Sequence, residues 1–238
     1  MLVSAAVCPH PPLLVRELGP PAQNELDELR AACANAIEAV RATEPELLVV
    51  VGAGEATRSH APGTTGSFRP HGVDVVVRLP GGGAPAAEPA TLPLSIMVGA
   101  WLLEQAEWQG EVRGQEVGTS TPRDQCREVG LALAQQADRL GLLVMGDGSA
   151  RRSVDAPGYL DPRAAGFDAS VVDALRAGDP GGLAAVDAGL AAELQAAGRA
   201  PWQVLAGAAD EAVFDAEVLY DRAPYGVGYV VAVWERHG

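Results

Sequence analysis

His10 lies in a proline-rich segment, Cys8-Pro9-His10-Pro11-Pro12, directly after the first predicted strand, Leu2 to Val7. Prolines on both sides restrict the backbone, so the imidazole is held in one direction at the carboxyl end of a strand, where open α/β sheets place their ligands. Histidine is the commonest metal ligand, but it is also common in turns. The segment therefore predicts either a metal or substrate position or a locally packed turn.

A second loop, Gly52 to His60, follows the next predicted strand and contains an acid and an imidazole, Glu55 and His60. Its Gly-x-Gly lacks the third glycine of a dinucleotide fingerprint, because position 57 is Thr, so nucleotide binding is not favoured. Loops of this composition are commonly solvated. For His60, and for the more distant His71, the solvated loop is the favoured interpretation.

A third loop, Gly146-Asp147-Gly148-Ser149-Ala150-Arg151-Arg152, follows the predicted strand Leu142 to Met145. Small residues let a backbone approach a ligand closely, and the two Arg side chains could hold a carboxylate or phosphate. The alternative is an ordinary turn with solvated arginines. Ser149 is not part of a G-x-S-x-G elbow and has no His nearby in sequence, so serine-hydrolase chemistry is not favoured.

These three loops must be positioned by strands that alternate with helices, which is the pattern of βαβ units. The spacing of Leu26, Leu29, Cys33, Ile37 and Val40 predicts a helix that covers the sheet. We expect one α/β domain over residues 1–238, with a central, mostly parallel or mixed sheet, helices on both faces and an antiparallel pair near the C-terminus. The predicted strands are Leu2 to Val7, Leu47 to Val51, Val73 to Leu79, Val112 to Val117, Leu142 to Met145, Ala216 to Tyr220 and Val227 to Trp234.

Three dipeptides predict helix starts: Thr121-Pro122, with the Thr hydroxyl as N-cap, Asp161-Pro162 and Asp179-Pro180. The stretch Pro80 to Pro93 is rich in Gly, Ala and Pro and is predicted to be a surface loop. Because parallel strands end at one edge of a sheet, we expect His10, the Glu55 and His60 loop, and the Ser149 loop to line a common cleft.

Charge and cysteine content exclude several classes of function. The chain has 31 acidic and 17 basic side chains and a formal charge of −14, which disfavours nucleic acid and anionic lipid as partners. No apolar run approaches the roughly 20 residues that a bilayer span requires, and the N-terminus lacks the pattern of a signal peptide. Cys8, Cys33 and Cys126 form no C-x-x-C pair, so reduced thiols and a cytoplasmic protein are predicted.

Four segments carry a family resemblance by their order and spacing: Cys8 to Pro12 with the strand before it, Pro45 to Thr57, Leu142 to Ala150 with Phe167-Asp168, and Ala223 to Tyr229. Together they resemble the class III (LigB-type) extradiol dioxygenases, the superfamily that also contains the MEMO-type proteins. The resemblance runs through most of the chain. It implies an Fe(II) site, or a site for another divalent metal, formed by two His and one carboxylate.

Transferred residue by residue, the resemblance assigns His10 as the first metal ligand. The second His would lie just after the second strand, where Glu55 is the best match and His60 follows five residues later. Glu193 is the candidate for the carboxylate. A site of two carboxylates and one His suits harder cations better than does the set of two His and one carboxylate that usually holds iron.

The acid/base His that the resemblance implies would follow Ser149, where this chain has Ala150. General acid–base catalysis typically contributes 10² to 10⁴-fold, so standard catechol cleavage should be severely impaired. The first hypothesis is therefore a divergent metal-dependent oxidoreductase acting on a small, catechol-like substrate, with Ser149 and His60 as catalytic candidates. The alternatives are a noncatalytic module that binds a small molecule or a protein, and a metal-independent hydrolase or transferase. Homo-oligomerisation is left open.

Overall fold

The computed structural model describes residues 1–19, 26–82, 92–210 and 212–237. In this part of the chain the strands are β1 Leu2–Cys8, β2 Leu47–Gly54, β3 Arg58–His60, β4 Thr65–Ser67, β5 Val76–Arg78, β6 Val112–Gly118, β7 Leu140–Met145, β8 Phe214–Arg222 and β9 Tyr229–Arg236. The helices are α1 Asp27–Ala42, α2 Leu94–Gln105, α3 Arg123–Ala134, α4 Ala164–Arg176, α5 Pro180–Ala184, α6 Ala188–Glu193 and α7 Arg199–Ala209.

Within the described residues, the main sheet has seven strands in the order β3-β6-β2-β7-β1-β9-β8. The four central strands, β6, β2, β7 and β1, are parallel to their neighbours in that group. The edges are antiparallel, with β3 on β6 at one side and β9 and β8 at the other. The predicted fold class, including the antiparallel pair near the C-terminus, is confirmed.

Helices cover both faces of the sheet because alternate strand residues point to opposite sides. On β2, Val49 and Val51 join the core formed with α3, α4 and α7. Leu48 and Val50 join the core formed with α1 and α2. A strand that is apolar on both faces must be covered twice, which explains the uninterrupted apolar run from Leu47 to Val51.

Three predictions about individual elements were wrong. Val73 to Leu79 does not join the main sheet, because β5 pairs only with β4 in a separate two-stranded sheet among the described residues. The Thr121 hydroxyl does not cap α3, since it contacts the hydroxyl of Thr57 at 3.0 Å, and α3 begins after Pro122. Asp161 is not the N-cap of α4 either, because α4 begins at Ala164 with Arg163 as its N-cap, and the Asp161 carboxylate accepts hydrogen bonds from the N–H and Nε of Arg163.

Helix α2 was not predicted from the sequence. Its residues from Ser95 to Leu103 are all buried, so the helix has no polar face and leaves no apolar stripe that periodicity could detect. The predicted loop Pro80 to Pro93 lies largely outside the described residues, in the range 83–91. Among the described residues, we find no helix with both the length and the apolar character needed to traverse a bilayer.

Candidate functional site

The loops that contain His10, Glu55 and Ser149 all leave the sheet at the carboxyl ends of their strands. They follow β1, β2 and β7, and β7 lies between the other two, parallel to both. Met145, at the end of β7, is paired with Cys8 on one side and with Gly52 on the other. Parallel topology thus brings the three segments to one edge, as the sequence predicted.

His10 and Asp147 form the most direct contact between these loops. The backbone N–H of His10 donates a hydrogen bond to Oδ1 of Asp147 at 2.7 Å, and His10 Nδ1 lies 3.7 Å from the same oxygen. His10 is 8% exposed, and its Nδ1 is buried without a hydrogen-bond partner among the described residues. A buried polar atom without a partner costs free energy, so this nitrogen is a candidate contact for a ligand.

The charge of Asp147 acts on two buried titratable groups, the Tyr229 phenol and the Cys33 thiol. Burial first, and the negative charge of Asp147 second, raise the pKa of the Tyr229 phenol well above its ordinary value. The pKa of the Cys33 thiol is raised by a hydrogen bond with Cys8, by burial and by the charge of Asp147. The negative charge of Asp147 thus contributes to raising the pKa of both the Tyr229 phenol and the Cys33 thiol.

Ser149 is fully buried and is engaged in internal hydrogen bonds. Its hydroxyl donates to the carbonyl of Leu194 at 3.0 Å and accepts from the N–H of Arg151 at 3.1 Å. Its own N–H donates to Oδ1 of Asp168 at 2.7 Å. These contacts fix the course of the loop and leave the hydroxyl inside the protein.

Asp168 anchors this loop from α4. Its Oδ2 accepts a hydrogen bond from Arg152 at 2.8 Å. Burial raises the pKa of Asp168, although the Ser149 N–H and the Arg152 guanidinium act in the opposite direction. The arginine that the sequence offered as an anion-binding group is therefore partnered by a buried carboxylate.

Glu116, on β6, holds the second loop. Its Oε1 accepts from the backbone N–H of Glu55 at 2.9 Å and of Ala56 at 3.1 Å, and its Oε2 accepts from Arg58 Nε at 2.7 Å. His60 Nε2 lies 3.1 Å from the same Oε2 and is buried, not solvated as the sequence favoured. Burial opposes ionisation of Glu116, yet these hydrogen bonds outweigh it and lower its pKa.

Among the described residues, neither of the two remaining metal candidates forms a hydrogen bond or an ion pair with His10. The side chain of Glu55 is exposed, and only its backbone is tied to Glu116. Glu193, the last residue of α6, forms an exposed ion pair with Arg163 at 2.6 Å. Arg163 also pairs with Asp161, and its side chain holds the pKa of that carboxyl well below the ordinary range.

His10, Glu55 and Glu193 do not form a three-ligand metal site in this arrangement. No group of three or more His, Cys, Asp or Glu side chains in the described ranges is arranged to hold a metal ion. Within the described residues, the buried Nδ1 of His10 is an unpartnered nitrogen that could act as a ligand. The residues present therefore do not fit the iron set that the resemblance implies.

Sequence reasoning missed the partners that organise the site. Asp147, Glu116 and Asp168 each connect segments that are distant along the chain, so sequence spacing gave no sign of these contacts. For Asp147 a weak signal existed, because its Gly-Asp-Gly turn directly follows a buried strand.

Comparison with known proteins gives a structural relationship and no family assignment. No protein-family model and no curated protein matches this chain. Among solved structures, it is similar to the crystal structure of the uncharacterized protein JW3007 from Escherichia coli K12, with a TM-score of 0.61 and 15% sequence identity. The match covers 98% of this chain and 99% of that chain. At this identity the similarity shows that the two chains share a fold over nearly their whole length.

Proposed function

We propose that this chain is a divergent member of the class III extradiol dioxygenase superfamily that binds a small, catechol-like molecule beside His10 and Asp147, without the ring-cleaving iron set. The observation that carries the proposal is the buried, unpartnered Nδ1 of His10, which lies 3.7 Å from a carboxylate at the carboxyl edge of the sheet. This edge is where open α/β folds bind their ligands.

A phenolic ligand matches the chemistry of this position. A hydroxyl group could donate to His10 Nδ1 and satisfy the orphan atom, and in a buried site that hydrogen bond is stronger than in water. Asp147 Oδ1 accepts the backbone N–H of His10, so the carboxylate fixes the backbone that carries the imidazole. His10 is thus the proposed contact to the ligand, and Asp147 is a positioning residue.

Ring cleavage is not part of the proposal, for two reasons. Of the other metal ligands that the resemblance offers, Glu193 is paired with Arg163, and Glu55 has an exposed side chain and is tied to Glu116 through its backbone alone. The position of the acid/base His is Ala150, and the neighbouring Ser149 hydroxyl is buried against Leu194. Without an imidazole at position 150, proton transfer to and from a catechol lacks its catalyst.

A metal-dependent enzyme is the second candidate, and one contact favours it. His10 and Asp147, whose Nδ1 and Oδ1 atoms lie 3.7 Å apart, are the residues that would hold a divalent ion, since imidazole and carboxylate are common metal ligands. In that case Asp147 would take the place that the resemblance gives to Glu55. Bound Fe(II) would supply the oxygen chemistry of ring cleavage.

One experiment separates these candidates. Metal-free protein with ¹⁵N-labelled histidine is titrated with protocatechuate, and separately with Fe(II) or Mn(II) under argon, while the imidazole resonances are followed by NMR. We expect saturable shifts of the His10 ring with protocatechuate alone. They should be absent in His10→Gln and retained in His71→Gln, which alters an exposed imidazole.

Ring-opened product is then measured after Fe(II), protocatechuate and O₂ are combined. We expect none from the wild type, and none from the double variant Glu55→His, Ala150→His, because Glu193 remains paired with Arg163. Stoichiometric Fe(II) with rapid ring opening would overturn the binding proposal in favour of the enzyme. Failure of both protocatechuate and metal to shift the His10 resonances would overturn the site itself.

The proposal includes a cytoplasmic location. The three cysteines are free and buried, which is compatible with a reducing compartment.

A further inference from the structure

A cavity of about 580 Å³ opens at the end of β6, and neither His10 nor Asp147 lines it. Thr119 and Ser120 form one side. Helix α6 and the turn that follows it form the other side, mainly through alanine methyl groups, with Gln195 at the rim and Arg199 at the start of α7. A volume of this size is typical of small-molecule sites.

Arg199 is the unusual residue of this cavity, because it is a buried cation that pairs with no carboxylate of the described residues. It is 5% exposed. Nη1 donates to the Thr121 carbonyl at 2.6 Å and to Gln203 Oε1 at 3.1 Å, while Nη2 donates to the Thr119 carbonyl. All of these acceptors are neutral, and buried charges are ordinarily paired with an opposite charge.

The Nε–H of Arg199 makes no hydrogen bond to any described residue, and it is not fully enclosed by protein atoms. This donor is therefore free to bind a ligand. The residues that line the cavity include no acid, although the chain as a whole has a formal charge of −14. The hydroxyls of Thr119 and Ser120 are exposed and add two donors. The positive end of the α7 dipole adds to the same potential.

We propose that this cavity binds a small aliphatic carboxylate, with the carboxylate against Arg199 and the chain against the alanines. A carboxylate supplies one negative charge for the one guanidinium. Its two oxygens can accept hydrogen bonds from the Arg199 Nε–H and from the hydroxyls of Thr119 and Ser120. A phosphate dianion would need more donors and would place a second charge against methyl groups. The proposal is independent of His10, since that residue does not line the cavity.

The test is a titration of the full-length protein with hexanoate, followed by NMR or calorimetry. Hexanamide serves as the neutral probe of the same shape, and inorganic phosphate serves as the purely anionic probe. We expect saturable binding of hexanoate. Hexanamide should bind at least about tenfold more weakly because it lacks the charge-assisted hydrogen bond, and phosphate at least about tenfold more weakly because it lacks the apolar contact.

Two variants locate the site. Arg199→Gln removes the charge, but it also alters contacts to two carbonyls, so Ala192→Glu is made as well, which introduces an anion at an exposed position lining the cavity. Ala169→Glu, at an exposed position of α4 away from the cavity, is the matched control for net charge. We expect Arg199→Gln and Ala192→Glu to weaken hexanoate binding at least about tenfold, and Ala169→Glu to leave it unchanged.

Several results would overturn the inference: no saturable hexanoate binding by the wild type, equal binding of hexanamide, tighter binding of phosphate, or equal weakening by Ala192→Glu and Ala169→Glu. His10→Gln should leave hexanoate affinity unchanged. This separates the cavity from the His10 site, so that either proposal can fail without the other.

Discussion

The carboxylate of Asp147 anchors the backbone of His10, since its Oδ1 accepts the His10 N–H at 2.7 Å, while His10 Nδ1 lies 3.7 Å from the same oxygen, beyond hydrogen-bond distance. The contact spans 137 residues of sequence and joins the loop after β1 to the loop after β7. A neighbouring backbone hydrogen bond, from the Gly146 N–H to the Cys8 carbonyl at 2.9 Å, extends the parallel pairing into the same loops. The course of the backbone at His10 is therefore set by the sheet topology as well as by the flanking prolines.

Asp147→Ala should lower the free energy of unfolding by about 1 to 3 kcal/mol, because the partly buried His10 N–H would lose its acceptor. Asp147→Asn should cost less, since an amide oxygen can still accept this bond. Urea denaturation measures both, with Asp155→Ala, which removes an exposed carboxylate, as the control. Equal stability of the two alanine variants would contradict the anchoring role.

Glu116→Gln should destabilise the protein by about 1 to 3 kcal/mol near neutral pH, because four donors converge on this buried carboxylate. The pKa of Glu116 is lowered in the folded protein, so its contribution is fully present above the ordinary value of 4.5 and is lost as the pH falls through the lower folded pKa.

The measurement is the difference in unfolding free energy between wild type and Glu116→Gln at a series of pH values. It should be constant at neutral pH and should shrink below about pH 4.5. Glu111→Gln, which neutralises an exposed carboxylate, should show a change within about 0.5 kcal/mol. A difference that grows on acidification would contradict the direction of the shift.

Two Gly→Ala substitutions should have opposite effects. A Cβ on Gly228 would lie 2.2 Å from Oδ2 of Asp168, which is itself held by Ser149 and Arg152, so Gly228→Ala should cost about 1 to 3 kcal/mol. A Cβ on Gly166, inside helix α4, would meet no atom within 4 Å, so Gly166→Ala should stabilise by about 0.5 to 1 kcal/mol.

The melting temperatures of the two variants give the test. A stable Gly228→Ala variant would mean that Asp168 can move without loss, and the proposed anchoring of the Ser149 loop would then be wrong.

The three thiols should be unreactive in the folded protein. Cys8, Cys33 and Cys126 are all fully buried, the pKa of Cys33 is raised by its hydrogen bond with Cys8 and by burial, and the pKa of Cys126 is raised by burial. An aromatic disulfide reagent should therefore release no coloured thiolate from native protein and three equivalents from protein in urea. Rapid reaction of one thiol under native conditions would contradict this prediction.

Local sequence patterns determined the strands and the covering helix, because burial on both faces requires an uninterrupted apolar run and burial on one face requires a periodic stripe. The run from Leu47 to Val51 and the stripe from Leu29 to Val40 therefore identified β2 and α1. Where burial is complete the signal disappears, and α2 could not be recognised from its uniformly apolar residues.

Sequence alone also placed His10 at the carboxyl end of a strand, since the position of a residue after a strand is a local property. Which side chains meet there was decided by tertiary structure. Asp147 joins His10 across 137 residues, and Glu116 joins the N–H of Glu55 across 61 residues. Glu193 binds Arg163 instead of joining them. Contacts between distant segments depend on strand order and register, which residue types and local spacing do not encode.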